Sequence, residues 1–466
     1  MGYADVGADI YVVLGVIAFF AGVASPLAFA IAATTYVCTG LCYAELSTAY
    51  PVAGGGQYYS MKAFGKLHGF VAGWGLMLDY TIDIALFSLA TVGYVGFLTK
   101  GVAGSDLVLQ SPFYALVAIS LIALLVALNL FGIRYSSKLN ELIVAVGLAT
   151  VAVFLFFGLP SIVASGALFR WFGDVSSAFA TGKFGLGDTG YSSFIYALSL
   201  ATASYIGIES ISQAAEETKH PGKVIPKATK AAIGSVVAIA ITLSLLSVTL
   251  PPSGTAPGWT QVANQTQYPA VSVATNIPAI GPVFAVWVAL VGVLSCYIST
   301  NTGVIGVSRV TFSMGRLGLM PKAFARVSSR FRTPYVTIVV FAVIASALLG
   351  AGVLIPGPDL LGLITSIYNF GALVAYMYVN AAAIVLRVKD PERKGWRLPL
   401  NFGIRWKGGR YDISVIPIIG MISAVLVWIA LVGLHPVGRL VGGAWFVVGI
   451  CGFLIYQKYK RKERAK

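Results

Sequence analysis

The segment Tyr191–Ala214 reads YSSFIYALSLATASYIGIESISQA. It is an apolar run long enough to cross a bilayer, interrupted near its middle by Ala203-Ser204-Tyr205-Ile206-Gly207, with an acid, Glu209, just beyond. Lipid offers the backbone no hydrogen-bond partners, so a break at that depth is tolerated only where it is buried in protein or lines a cavity. A corresponding break is expected at the start of the chain, where Gly2, Gly7 and the acids Asp5 and Asp9 fall in the first apolar run. Interruptions at matching places in two halves point to an inverted-repeat transporter whose site lies where the broken spans meet.

Outward from that segment the whole chain has membrane composition: 58% of its residues are hydrophobic, 11% are charged and the mean hydropathy is +0.84. A hydrocarbon core of roughly 30 Å takes about 20 apolar residues as helix. Twelve such runs can be read, at 5–24, 27–47, 69–98, 112–131, 139–160, 191–214, 228–250, 279–307, 334–353, 358–386, 413–433 and 440–458. The expected fold is therefore all-α and integral to the membrane, with twelve transmembrane helices and helices 1 and 6 discontinuous. Residues 1–160 hold the first five-helix repeat, 191–386 the second and 413–458 the last two helices. No polar stretch is long enough for a separate soluble domain, so 1–466 reads as one transmembrane transporter domain. The stretch from Pro251 to Pro278 is rich in Pro, Gly, Ser and Thr and suits an irregular cap on the outer side.

A net charge of +15 would suggest nucleic acid for a soluble protein, but here placement decides. With the N-terminus inside, all of the 32 Lys and Arg lie on the cytoplasmic side except Lys100, Arg170, Lys183 and Arg439. The positive-inside rule then puts both termini in the cytoplasm of a multi-pass cell-membrane protein. The tail cations Lys458, Lys460, Arg461, Lys462, Arg464 and Lys466 read as an anchor on anionic lipid, or else as a partner surface. The expected partners are a small-molecule substrate and the bilayer, without nucleic acid; oligomeric state is not legible. Nor does the first run follow a charged n-region with a small-residue cleavage site, so it is read as retained rather than as a signal peptide.

Enzyme chemistry finds little support. Cys38, Cys42, Cys296 and Cys451 lie in apolar runs at no zinc spacing, and His68, His220 and His435 all fall in loops. Gly185-Leu186-Gly187-Asp188 matches an intramembrane aspartyl protease signature, but neither it nor Tyr411-Asp412 lies inside a hydrophobic run, and their order is reversed. No cofactor or metal centre is expected beyond a coupling ion.

Charged side chains inside a membrane cost at least about 2.5 to 3.5 kcal/mol each on insertion scales, so each acid needs a reason. Asp79 and Asp83 are four apart and share a helical face, where two like charges disfavour joint ionisation. They are a cation site or proton carrier, or one of them caps a neighbouring broken helix. Ser299, Thr300 and Thr302 can offer oxygens to an ion, or can simply join helices. Glu45 and Glu141 lie near the cytoplasmic ends of their spans beside basic loops and read as salt-bridge partners. Tyr368 and Tyr376 read as packing; Tyr205, next to the break, reads as lining the pathway.

Three motifs carry a resemblance over nearly the whole chain. Tyr43-Ala44-Glu45-Leu46-Ser47 with Ala49-Tyr50-Pro51, Ala53-Gly54-Gly55-Gly56, Ala63-Phe64-Gly65 and Gly69-Phe70-Val71-Ala72-Gly73-Trp74 stands between spans 2 and 3. Ala215-Glu216-Glu217-Thr218-Lys219-His220-Pro221 with Ile225-Pro226-Lys227-Ala228 follows span 6, and Gly306-Val307-Ser308-Arg309 with Gly315-Arg316-Leu317-Gly318-Leu319-Met320-Pro321 ends span 8. Together they resemble the amino acid, polyamine and organocation permease superfamily. The resemblance implies a leucine-transporter-like fold of five plus five inverted helices with two more, and alternating-access transport of amino acids or related amines. Coupling to a proton or sodium gradient, or exchange, is implied with it.

On that resemblance the substrate would meet Gly7, Ala8 and Asp9 of span 1 and Ala203, Ser204, Tyr205, Ile206 and Gly207 of span 6. Asp5, Asp79, Asp83, Glu209, Ser299 and Thr300 would serve coupling, with Na+, K+ or H+ as the ion; Glu209 matches an acidic gating or relay position, or else bonds to the unwound backbone of span 1. Two positions depart from the pattern. Gly7-Ala8-Asp9 replaces the usual Gly-small-Gly cradle for a substrate carboxylate, and an anionic Asp9 there would repel that group unless protonated or paired. Gly147 stands where proton-coupled relatives often have Lys. A cationic substrate gains weight, and a potassium or polyamine transporter of the same superfamily is the alternative. The superfamily also normally has a half-helix before the span 1 break, which implies a longer native start.

Overall fold

The computed structural model describes residues 2–52, 54–131, 136–187, 190–250, 258–331, 333–354, 360–406 and 409–464. Asp188 of the protease-like signature lies outside them, as does the side chain of Asp5. The first part of the chain forms α1 (Gly2–Ala21), α2 (Ser25–Ala49), α3 (Gly56–Phe64), α4 (Lys66–Ala103), α5 (Phe113–Phe131), α6 (Ser136–Ala164) and α7 (Ala167–Thr181). Then come α8 (Tyr191–Ala201), α9 (Glu209–Gln213), α10 (Pro221–Thr249), α11 (Gly258–Asn264), α12 (Pro269–Thr275) and α13 (Gly281–Arg316). The last are α14 (Tyr335–Leu354), α15 (Leu360–Lys389), the hairpin β1 (Asn401–Trp406) and β2 (Gly409–Ser414), α16 (Ile416–Leu434) and α17 (Pro436–Arg464).

Among the described residues, 11 segments are long and apolar enough to cross a membrane. The first, Ala8–Ala49, contains both α1 and α2, joined by a 3-10 turn at Gly22–Ala24. Gly22 adopts φ 51°, and a Cβ there would sit 1.8 Å from the Phe184 carbonyl oxygen, so only glycine fits this turn. Two expectations need correction. The first helix is not interrupted at Gly7-Ala8-Asp9, because α1 is continuous from Gly2 to Ala21. A single glycine within a helical run costs only about 1 kcal/mol, so Gly7 by itself does not end the helix. The stretch before Pro278 is not irregular throughout: α11 and α12 occupy much of it, while 251–257 lie outside the described residues.

The most deeply buried spans are α1, α2, α4 and the α8–α9 segment; α5, α6, α16 and α17 present most of their surface outward. Close approach at the centre rests on small residues, as expected where helices pack without water. A methyl on Gly306 of α13 would lie 2.4 Å from the Tyr80 ring of α4, and one on Gly371 of α15 would lie 2.6 Å from the Gly75 oxygen of α4. At the rim Trp74 and Trp445 stack at 4.7 Å and each donates its indole N–H to the other's carbonyl, at 2.8 and 3.0 Å, which fastens α17 to α4.

Candidate functional site

The site is built around the place where α8 stops. Beyond Ala201 the chain makes a 3-10 turn over Thr202–Tyr205, Ile206 is extended (φ −86°, ψ 151°), Gly207 takes φ 111°, and helix resumes at Glu209. A positive φ of that size suits glycine alone, which is why the chain departs from α geometry here. The backbone groups freed by the departure are met by side chains, as burial demands. The Gly207 N–H donates to Glu209 Oε2 at 3.2 Å, and the Asn369 amide donates to the Ser199 and Leu200 carbonyls at 2.7 and 3.4 Å.

Glu209 is held from a second helix as well. Tyr376 of α15 donates its hydroxyl to Glu209 Oε2 at 2.9 Å. Tyr43 of α2 meets Tyr376 edge to face at 6.2 Å, and both phenols are within electrostatic reach of Glu209 and Asp79. On the other flank the Tyr205 hydroxyl donates to the Phe29 carbonyl of α2 at 2.9 Å, and its ring stacks on Tyr36 at 5.3 Å. Gln213 of α9 donates to the Tyr80 hydroxyl of α4 at 2.8 Å, and Ser210 lies 3.2 Å from the same oxygen.

A second group of acids lies along α13. Cys296, Ser299 and Gly303 are spaced i, i+3, i+7 and share one face. Cys296 is within electrostatic reach of Asp9 on α1, and a methyl on Gly303 would stand 3.0 Å from Asp83 Oδ2 on α4. Ser299 lies about one turn before Gly303 on that face and is buried. Thr300 and Thr302 donate their hydroxyls to the Cys296 and Ile298 carbonyls, at 3.0 and 3.2 Å.

Asp9 and Glu209 have no exposed surface, and Asp79 and Asp83 are each 1% exposed. Ala8, Ala203, Ser204, Tyr205, Ile206 and Gly207 are buried too, and α1 packs against the 3-10 turn. The helices that carry these groups also hold cations, Lys66 and Lys100 on α4 and Arg309 and Arg316 on α13, and Arg309 lines a small cavity together with Ser210, Gln213 and Thr302. A carboxyl group buried in a membrane protein is costly to keep ionised, so each of these acids favours a proton or a positive neighbour.

Sequence reasoning undervalued Tyr376 and passed over Asn369, Tyr43 and Asn380. A usable signal was present: Asn369, Tyr376 and Asn380 are spaced i, i+7, i+11, a polar stripe along one face of a mostly apolar helix. Asn380 donates to Thr39 of α2 at 2.8 Å, so the stripe joins α15 to both α8 and α2. Glu45, read as a salt-bridge partner, is one, but it is fully buried rather than at the surface. It accepts from Arg387 Nε and Nη2 at 2.9 and 2.5 Å, from Arg393 Nη2, and from the Leu398 N–H at 2.8 Å.

The profile of the amino acid permease family matches residues 2–455. Among curated relatives, the methylthioribose transporter of Bacillus subtilis (strain 168) is 26% identical over 98% of this chain and 90% of its own length. The branched-chain amino acid permease BcaP of the same organism is 27% identical over 99% of this chain and 90% of its own length. The low-affinity putrescine importer PlaP of Escherichia coli (strain K12) is 26% identical over 91% and 84% respectively. These relatives are transporters and not enzymes, and this chain, a predominantly helical, multi-pass membrane protein, belongs to the amino acid permease family.

Proposed function

We propose that this permease is a secondary active transporter moving amino acids or related amines by alternating access, with twelve crossings, five plus five inverted helices and both termini cytoplasmic. The observation that supports the reading is that four carboxyl groups, Asp9, Asp79, Asp83 and Glu209, are buried on α1, α4 and the first turn after the α8 break. Glu209 shares its Oε2 between the broken backbone at Gly207 and the hydroxyl of Tyr376, so its protonation state and the geometry of the break are linked. In this reading Gly7, Ala8 and Asp9 with residues 203–207 contact the substrate. Asp5, Asp79, Asp83, Glu209, Ser299 and Thr300 carry the coupling ion, which is H+, Na+ or K+.

A second reading, transport of a polyamine or another cation, is favoured by Asp9. On the family resemblance Asp9 takes the place of a residue whose backbone would cradle a substrate carboxylate, an anion there would repel that group, and a relative is a putrescine importer. Uptake into proteoliposomes of labelled leucine, a methylthio-substituted ribose, putrescine and rubidium, under imposed proton and sodium gradients, separates the readings. Saturable, gradient-driven uptake of one class supports the transporter. Uptake of none, beside a working control permease reconstituted in parallel, contradicts it.

A further inference from the structure

We infer that the β1–β2 hairpin is a docking element for anionic lipid headgroups on the membrane face where α15 ends and α16 begins. The candidate span α15 ends at Lys389 and the next, α16, begins at Ile416, and the ladder between them is antiparallel, with Phe402 opposite Ile413 and Ile404 opposite Tyr411. On the other face Arg405 stands directly opposite Arg410, and both are exposed. Like charges directly across a ladder destabilise it, and the nearest acid on that face, exposed Asp412, can neutralise one guanidinium only. The pair thus carries surplus positive charge on one face of the hairpin, with the Arg410 guanidinium lying over Gly403, and guanidinium groups are suited to phosphate.

A second, independent feature sets the depth. Leu400 is held at φ 58°, a conformation that bulky residues rarely adopt, and is 69% exposed. Its carbonyl accepts the Val415 N–H at 3.1 Å, which places exposed Leu400 beside exposed Val415, immediately before the first residue of α16. Phe402, 39% exposed, adds to this apolar foot. Apolar residues at the foot of a span with guanidinium groups beyond them match the acyl boundary and the headgroup layer of a bilayer. Charge complementarity and tethering by two spans select lipid over a soluble partner. The base is rigid enough to hold that pose, because Arg387 donates to the Asp412 carbonyl at 3.0 Å and to Asn401 while its other nitrogens hold buried Glu45.

The test is hydrogen exchange of the backbone amides of 401–414 in the full-length protein, reconstituted into phosphatidylcholine nanodiscs with and without about a third phosphatidylglycerol. The expected result is exchange slowed on the order of tenfold by the anionic lipid, with the slowing lost in the R405Q/R410Q double variant and reduced by high salt. Equal exchange in the two lipid compositions for the parent protein overturns the inference, and this arm requires no variant. The same protection from inorganic phosphate in purely zwitterionic discs overturns it as well, since the site would then bind a free anion.

Discussion

Tyr376 on α15 donates a 2.9 Å hydrogen bond to the same Glu209 oxygen that receives the N–H of Gly207, where the α8–α9 segment leaves helical geometry. One carboxylate oxygen thereby joins α15 to the break. Tyr376→Phe removes the hydroxyl and leaves the ring contact with Tyr43. Losing one hydrogen bond is worth about 0.5 to 1.5 kcal/mol, so uptake per folded molecule should fall roughly 2- to 10-fold. Uptake at the parent rate would mean that Glu209 does not depend on this bond during the cycle.

Glu45 is expected to matter for stability first. Glu45→Gln leaves Arg387 and Arg393 buried without their counter-charge, and breaking a buried pair in this way costs about 3 to 5 kcal/mol. The melting temperature of the detergent-purified variant should drop by many degrees. An unchanged melting curve would show that water or neighbouring acceptors replace the carboxylate.

The α4–α13 seam gives a ranking. Gly303→Ala brings a methyl to 3.0 Å from Asp83 Oδ2, whereas Gly306→Ala brings one to 2.4 Å from the Tyr80 ring. Overpacking of this kind costs about 1 to 3 kcal/mol, and Gly306→Ala should be the more destabilising of the two. The reverse order in thermal melts would contradict the packing described.

His435, between α16 and α17, stacks on Tyr196 at 3.8 Å and lies 2.8 Å from the Ser199 hydroxyl. Burial disfavours its imidazolium and pushes its pKa down to about 4. Between about 4 and 6.5 the unfolded chain holds a proton at this position that the folded protein does not. The stability tied to neutral His435 is therefore fully present above about pH 6.5 and declines as pH falls toward 4. Asp390 acts lower: hydrogen bonds from Tyr50 and Lys62 hold its carboxyl below the usual range, so its contribution persists until pH falls below that of an ordinary carboxylate. His435→Gln should flatten the slope of melting temperature against pH between about 6.5 and 4 without changing it below. An unchanged slope would assign the effect to other groups.

The spans were legible because lipid demands long uninterrupted apolar runs, and Gly207 marked its own irregularity through the backbone conformation it permits. The continuity of α1 was not, since one glycine within a run of helix formers reads equally as a break or as a weak point. Glu45 could be assigned a basic partner but not a buried one, because Arg387 and Arg393 are distant in sequence and only the fold brings both to it. Tyr376 was discounted because aromatic residues are common in membrane helices; the asparagines at its spacing were the better clue. Asp79 and Asp83 were expected on one face, yet their surroundings differ: the α4 backbone at Asp79 lies against Gly371 of α15, whereas the Asp83 carboxylate lies against Gly303 of α13. Only packing separates those environments.

The central claim is that the buried acids set the charge of what is carried, and pH-dependent uptake by Asp83→Asn and Asp79→Asn tests it most directly. Each variant, shown to be inserted and folded, is compared with the parent in proteoliposomes across a pH series with the transported substrate. The account predicts that at least one variant loses about tenfold or more of its uptake, and that the pH dependence of any remaining uptake is shifted or abolished. Transport by both variants at the parent rate, with the parent pH profile, would contradict it.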